Sequence, residues 1–347
     1  METIEKVKKF QERKLSGARW SNVAEALRAN NMDWTAGKER LQTPSGKVSR
    51  KYGITRSDNG EVVGEVGERY HTVDNMKAHG VIDAFVERGG QIVDCREFSG
   101  GRKSIVEAFF PDMVREIRQG DSVGISVIGC NSFDGTTKYS VKAQIWRLRC
   151  MNGAVGVGDT TIITDIRHTA KLSDIMAEID YAKDILSKIL DNTVDAYKTL
   201  ASKRADRNKV REFMVDSLAI PHDGNYTGIS TRSSNILKDM MDRYDANQSI
   251  VDELLRGSSI QSTAESQVNS LLLDSVIENT VNKFDGAGVG LGSDTIRDGG
   301  TWWDAFNALT EHLTHERGRT EESRTESLLF GESNRIMRSA LEYAINA

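Results

Sequence analysis

Proline is scarce in this chain: three occur in 347 residues, against 30 glycines. Proline breaks helices, so its scarcity leaves room for long ones. Cysteine is equally rare. Cys95, Cys130 and Cys150 are far apart and odd in number, which argues against a disulfide framework or a zinc cluster and for reduced thiols. No run of 18 apolar residues occurs, so no membrane-spanning helix is expected. The opening METIEKVKKFQERK lacks the apolar middle of a signal peptide, and a cytoplasmic location is expected. Hydrophobic residues make up 38% and charged ones 28%, with a mean hydropathy of -0.46. That is enough for a core under a polar surface, in one large domain or two ordinary ones.

The formal net charge of -5 opposes non-specific nucleic-acid binding by the whole surface. The charge is uneven, however. Residues 1–60 carry 13 Lys/Arg against 7 Asp/Glu, and residues 198–211 carry six basic side chains against Asp206 alone. Excess acid lies mostly beyond Asp239, so a basic patch survives the total.

Texture divides the chain near His168. Before it, residues 4–14 suggest a short charged helix, and Ser21 is placed to cap a second one holding Val23, Ala26 and Leu27. Residues 47–73 alternate and are rich in Val, Ile, Thr and Tyr, with Asp58-Asn59-Gly60 supplying a hairpin turn. A short strand is expected over residues 70–73. Asp74 then caps a helix that Gly89-Gly90 ends. Strands follow over residues 91–98, 104–110, 122–130 and 136–151, the last two joined at Asp134-Gly135. After His168 a helical stripe runs through Leu172, Ile175, Met176, Ile179, Ala182, Ile185, Leu186, Ile189 and Leu190, up to a break at Pro221. Helices are expected near residues 232–256 and 262–283. The reading is α+β: an antiparallel, sheet-rich core with an embedded helix over residues 1–168, and a helical region packed on it over residues 169–347.

Four motifs invite chemistry. Gly286, Gly288, Gly290 and Gly292 resemble a phosphate loop, but a helix-like segment precedes them and no Lys-Ser/Thr pair follows. A flexible Gly-rich loop over residues 285–300 is expected instead. His312 and His315 share a helix face, yet two ligands are too few for zinc and HExxH is absent; no metal and no cofactor are expected. GxSxG is absent too, and no catalytic residue is assigned. The stretch GTWWDAFNALTEHLTH, residues 300–315, reads as an amphipathic helix capped by Thr301. Trp302, Phe306, Leu309 and Leu313 form its apolar stripe, with Asp304, Ala308, Glu311 and His315 on another face. Packing is the default reading. A polar site, if present, would use Asn307, Glu311 and His315 with His168.

Phosphate chemistry suits the basic side chains better. Lys47, Arg50, Lys51 and Arg56 lie along the hairpin with Tyr52 among them; Arg102 and Lys103 follow a Gly-Gly turn. Lys138, Lys142, Arg147 and Arg149 line a second strand pair with Tyr139 and Trp146. Cations for the backbone and rings for the bases are what a single-strand platform uses.

Several stretches together are similar to a family of phage and plasmid proteins, the domain of unknown function 932. They are NNMDW (30–34), Tyr52 to Arg56 with Asp58-Asn59-Gly60, GEVGERYHTVDN (64–75), FSGGRK (98–103), NSFDGTTKY (131–139), RLRCMNG (147–153), RHT (167–169), GTWWDAFNALTEHLTH and Leu329-Phe330-Gly331. The resemblance implies an accessory protein of mobile elements, among recombination and replication functions. The order strand-turn-strand, short strand, helix also resembles the β-β-β-α core of phage single-strand annealing proteins, which form rings around a basic groove. The leading expectation is an oligomeric protein that binds single-stranded DNA, with homo-oligomerisation and no membrane. Its rivals are an enzyme with a polar or metal site on the last helix, and an interaction protein that blocks a host defence.

Overall fold

A computed structural model describes residues 17–148, 152–154, 162–166, 182–220, 229–257 and 300–347. The expected helices near residues 4–14 and 262–283 lie outside them, as does the Gly-rich loop except Gly300. The fold is α+β. Antiparallel sheets fill the N-terminal half and helices the C-terminal half.

Helix α1, Val23–Ala29, comes first. Its cap is Asn22, whose side chain accepts from the Glu25 N–H, while Ser21 donates to the Glu25 carboxylate. The cap is therefore one residue later than expected. Strands β1 (Ala36–Gln42), β2 (Val48–Arg56) and β3 (Val62–Val66) form a three-stranded sheet in that order. The Asp58-Asn59-Gly60 turn is there, with Gly60 at φ 75. Residues 70–73 form no strand; the third strand is β1, on the other side of β2. Lys38 explains part of this. Its ammonium donates to the carbonyls of Glu68 and Tyr70 at 2.6 and 2.8 Å, so the backbone there is held by a side chain rather than a ladder.

Next come α2 (Asn75–His79), a 3-10 turn over Gly80–Ile82, and α3 (Asp83–Val86), in place of one continuous helix. Asp74 sits at the expected cap position, but its carboxylate accepts from the Ala36 N–H of β1 instead. A helix cap has become a tie between helix and sheet.

The larger sheet runs β4 (Gln91–Phe98), β5 (Lys103–Arg118), β6 (Asp121–Ser132), β7 (Tyr139–Arg147) and β8 (Asn152–Ala154), with β9 (Ile162–Ile166) also on β7. β5 continues beyond the expected end at residue 110. Pro111 cannot donate to a ladder, and pairing with β6 is irregular between Phe109 and Val114, then resumes. Central β6 is buried on both faces, and the run SVGISVIGC has the near-continuous apolar character such a strand needs. Gly64 joins the two sheets. A Cβ there would lie 2.1 Å from the Phe133 carbonyl oxygen, so only glycine permits the approach.

Helices α4 (Ala182–Ser202), α5 (Arg207–Ser217), α6 (Thr231–Gly257), α7 (Trp302–Glu311), α8 (Glu321–Phe330) and α9 (Glu332–Asn346) complete the fold. The stripe expected to run unbroken to Pro221 stops at Ser202. Asp206 caps α5, and residues 203–205 pair instead with the start of α7, Ala205 donating to Gly300 at 2.8 Å and Trp302 to Lys203 at 3.0 Å. One continuous core, from Val23 to Ala344, includes both sheet and helices.

Helix α7 is its hub. Thr301 and Asp304 form a capping box. The amphipathic expectation is corrected here: residues 302–310 are buried on every face. Trp302 packs on Phe213 of α5 and Tyr343 of α9, with ring centroids 5.6 and 5.9 Å away. Trp303 lies on Tyr197 of α4 at 4.6 Å, and its indole N–H donates to Asp121 of β6 at 2.8 Å. Asp121 has no exposed surface. Arg147 binds both its oxygens, at 2.7 and 2.6 Å, and Arg118 lies 3.5 Å away while donating to Asp304 at 2.5 Å. Burial alone would raise the Asp121 carboxyl; the facing Arg147 guanidinium, Arg118 and the Trp303 N–H outweigh it and bring it to about 2. Removing this anion takes the carboxylate from a buried guanidinium, a loss of about 3–5 kcal/mol. Asp121→Ala should therefore unfold at markedly lower denaturant, with Trp303 fluorescence reporting release of α7.

Candidate functional site

The hairpin β1–β2 carries four exposed cations, Arg40, Lys47, Arg50 and Lys51, and residues 198–211 form a second basic stretch. Residues 36–56 hold six Lys/Arg against Glu39. Its tip, Thr43 to Lys47, closes with Thr43 donating to Lys47 at 2.9 Å and Gly46 at φ 77. Lys47 and Arg50 are exposed and meet no carboxylate among the described residues. Lys51 faces Glu65 at 3.7 Å with both side chains more than half exposed, a pairing of little worth. Tyr52 is half-buried. Lys38 and Arg40 lie 4.8 and 5.4 Å from its ring centroid, and Arg40 donates to its hydroxyl at 2.9 Å. Lys38 and Arg40 thus flank an aromatic side chain on the central strand of the small sheet.

The other expected nucleic-acid residues divide. Arg56 is not on the surface. It pairs with Asp58 and Glu97, both at 2.7 Å, and covers the Trp34 ring at 4.5 Å. Tyr139, Trp146 and Arg147 belong to the core. Trp146 donates to Glu107 at 3.0 Å and Ser126 at 3.2 Å, and Arg147 is bound to Asp121. The expectation that these rings stack bases is corrected. The strand alternates as read, but α-helical cover on both faces buries what one open face would have displayed. Arg102 and Lys138 are exposed. Lys103 and Lys142 come together on either side of Phe330, 5.5 and 5.2 Å from its ring centroid. Arg149 and His168 lie outside the described residues.

Helix α7 does not assemble an open polar site. Asn307 donates to the Trp303 carbonyl at 2.7 Å and is buried. Glu311 accepts from Arg243 at 2.6 Å, and Arg243 also holds Asp239 at 2.9 Å. His315 is buried beside this group, in a π-helical turn over His312–Glu316. His312 Nδ1 lies 3.7 Å from Asp239, and burial holds its imidazole below the ordinary range. Among the described residues, no three His, Cys, Asp or Glu side chains gather as a metal site would require.

One constellation was missed by sequence reasoning. His79 Nε2 lies 2.8 Å from the Ser104 hydroxyl, which donates to Asn75 Oδ1 at 2.7 Å. Asn131 donates to the same Asn75 oxygen at 3.1 Å. Because Ser104 gives its proton to Asn75, it accepts from His79 Nε2–H, which assigns the tautomer. The arrangement has the outline of a nucleophile and base, yet every member is buried. Burial pushes the imidazole down to about 3, too weak a base for work near neutrality. Its signal in the sequence was faint: polar Asn75 and Asn131 beside apolar runs.

The family model described as "Domain of unknown function (DUF932)" matches residues 62–330. The chain belongs to this family. The match starts at the first residue of β3 and ends at the last of α8, so it holds the whole larger sheet and the hub helix, but not the β1–β2 hairpin. Comparison with curated proteins and with solved structures finds no match.

His79 gives a pH test. Its folded value is depressed below the ordinary 6.5, so the unfolded chain takes up the proton first as pH falls. Stability is complete above about 6.5 and declines by up to about 1.4 kcal/mol per pH unit between there and about 3. His312 acts in the same direction. Chemical denaturation of His79→Gln between pH 7 and 5 should show a slope shallower than that of the unaltered chain by close to one proton.

Proposed function

We propose that this protein is a DNA-metabolism accessory of phage or other mobile elements, acting as a homo-oligomer that binds single-stranded DNA in the host cytoplasm. The observation that carries the reading is the basic hairpin: Arg40, Lys47, Arg50 and Lys51 exposed around Tyr52, on a chain whose net charge is acidic. Acidity elsewhere limits phosphate attraction to such basic stretches. Cations around a ring on a small sheet suit an extended strand, whose phosphates and bases alternate. Recombination or annealing is the activity such binding would serve.

An enzymatic reading has less support, because Asn307, Glu311 and His315 are buried or paired. A protein-docking reading also has less. The described residues expose four large apolar side chains, Val48, Val62, Met76 and Ile185, on four different elements, not a continuous patch.

Fluorescence anisotropy with labelled oligothymidylate tests the proposal. Binding should weaken steeply between about 50 and about 200 mM salt. Lys47→Gln/Arg50→Gln/Lys51→Gln should reduce affinity by at least tenfold and flatten the log–log salt slope by about 2, at about 0.7 per phosphate on single strands. Mass measurement with and without the strand gives the subunit number. Absence of salt-sensitive binding would end this reading.

A further inference from the structure

The turn between β4 and β5 carries the FSGGRK sequence, and in it three successive residues have positive φ: Ser99 at 52, Gly100 at 70 and Gly101 at 95. Such turns aim backbone N–H groups outward and make anion-binding concavities. Exposed Arg102 and half-buried Lys103 follow it, and Arg96 before it is held chiefly by Asp94. On the same side of the sheet, Lys142 reaches Phe330 from β7.

Anions already occupy it. The Ser99 N–H donates to the Glu322 carboxylate at 2.5 Å, and its hydroxyl to Glu326 at 3.3 Å. Lys103 donates to Glu326 at 2.6 Å, and Arg96 to Glu321 at 3.5 Å. All three carboxylates belong to α8. This helix is held in two different ways. Leu328 and Leu329 are buried, while residues 321–327 are exposed or half-buried and attach through charge. Charge contacts at such a surface are weak and fall with salt. A shallow open cavity lies beside these contacts, lined by Lys103, Ser323, Glu326, Ser327, Phe330 and Gly331.

We propose that the Ser99–Lys103 turn is a phosphate-binding site for a nucleic-acid backbone, and that the α8 carboxylates are its built-in competitors. Glu322 and Glu326 stand where phosphate oxygens would be held. A bound strand displaces the charged half of α8, while Leu328 and Leu329 keep its other half in place. Site and competitor both lie inside the residues matched by the family, whereas the hairpin does not. The inference rests on the single-strand reading.

The test uses the full chain and labelled oligothymidylate. Glu322→Gln/Glu326→Gln should bind five- to tenfold more tightly than the unaltered protein and show a steeper salt slope. Adding Lys103→Gln should abolish the gain. On the unaltered chain, hydrogen exchange in residues 321–327 should quicken when the strand is added. That measurement decides the matter if the variant folds poorly. Binding by the unaltered protein with no gain in the variant, or with unchanged or slower exchange in residues 321–327, overturns this site and leaves the hairpin reading standing. No binding by either protein overturns both.

Discussion

A carboxylate with no exposed surface holds this fold together. Asp121 begins the central strand β6, and its charge is matched by Arg147 from β7, Arg118 from β5 and the indole of Trp303 from α7. The sheet therefore cannot close without the helix, nor the helix seat without the sheet. A buried ion pair of this kind is a poor source of net stability, because desolvation offsets much of the attraction. Its value here is positional. A purely apolar contact would tolerate sliding, whereas a bidentate guanidinium and a single indole donor admit one register.

From that point the rest of the core follows. Trp302 and Trp303 point to opposite neighbours, one into α5 and α9, the other into α4. The one-residue step between them, about 100° round the helix, lets a single helix organise three others. Helix α7 is then surrounded, which is why its polar residues bond within the protein: Asn307 to a carbonyl of its own helix, Asp304 to Arg118, Glu311 to Arg243. Among the described residues, the β1–β2 hairpin and the β4–β5 turn are surfaces the core does not require. Both are basic, on a chain that is acidic overall, and they differ in one respect: the hairpin is open, while the turn is covered by the protein's own carboxylates.

Much of the local structure was legible in the residues. The hairpin at Asp58-Asn59-Gly60, β4 over residues 91–98, the Asp134-Gly135 turn and the Thr301 cap each depend on a short stretch whose chemistry has few alternatives. The misreadings share a cause. β5 passes Pro111 because its partner strand tolerates an irregularity; α4 stops at Ser202 because residues 203–205 pair with the start of α7; residues 70–73 form no strand, Lys38 taking the Tyr70 carbonyl and Asn131 the Val73 carbonyl. In each case a distant partner overrode the local pattern. The same holds for candidate site residues. Trp146 and Arg147 look identical in sequence to a displayed pair, and only the helices packed over them make them internal.

The sequence by itself determined the class of the fold, the order sheet-then-helix and the places where positive charge gathers, because those follow from periodicity, turn chemistry and composition; its motif stretches carried the resemblance to the family. Tertiary structure decided which charges are available. Lys47 and Lys103 are alike as residues, but one faces water and the other faces Glu326, more than 200 positions along the chain. Accessibility is a property of what packs against a side chain. A pattern that extends a few residues in either direction carries no information about a partner from the far end of the chain.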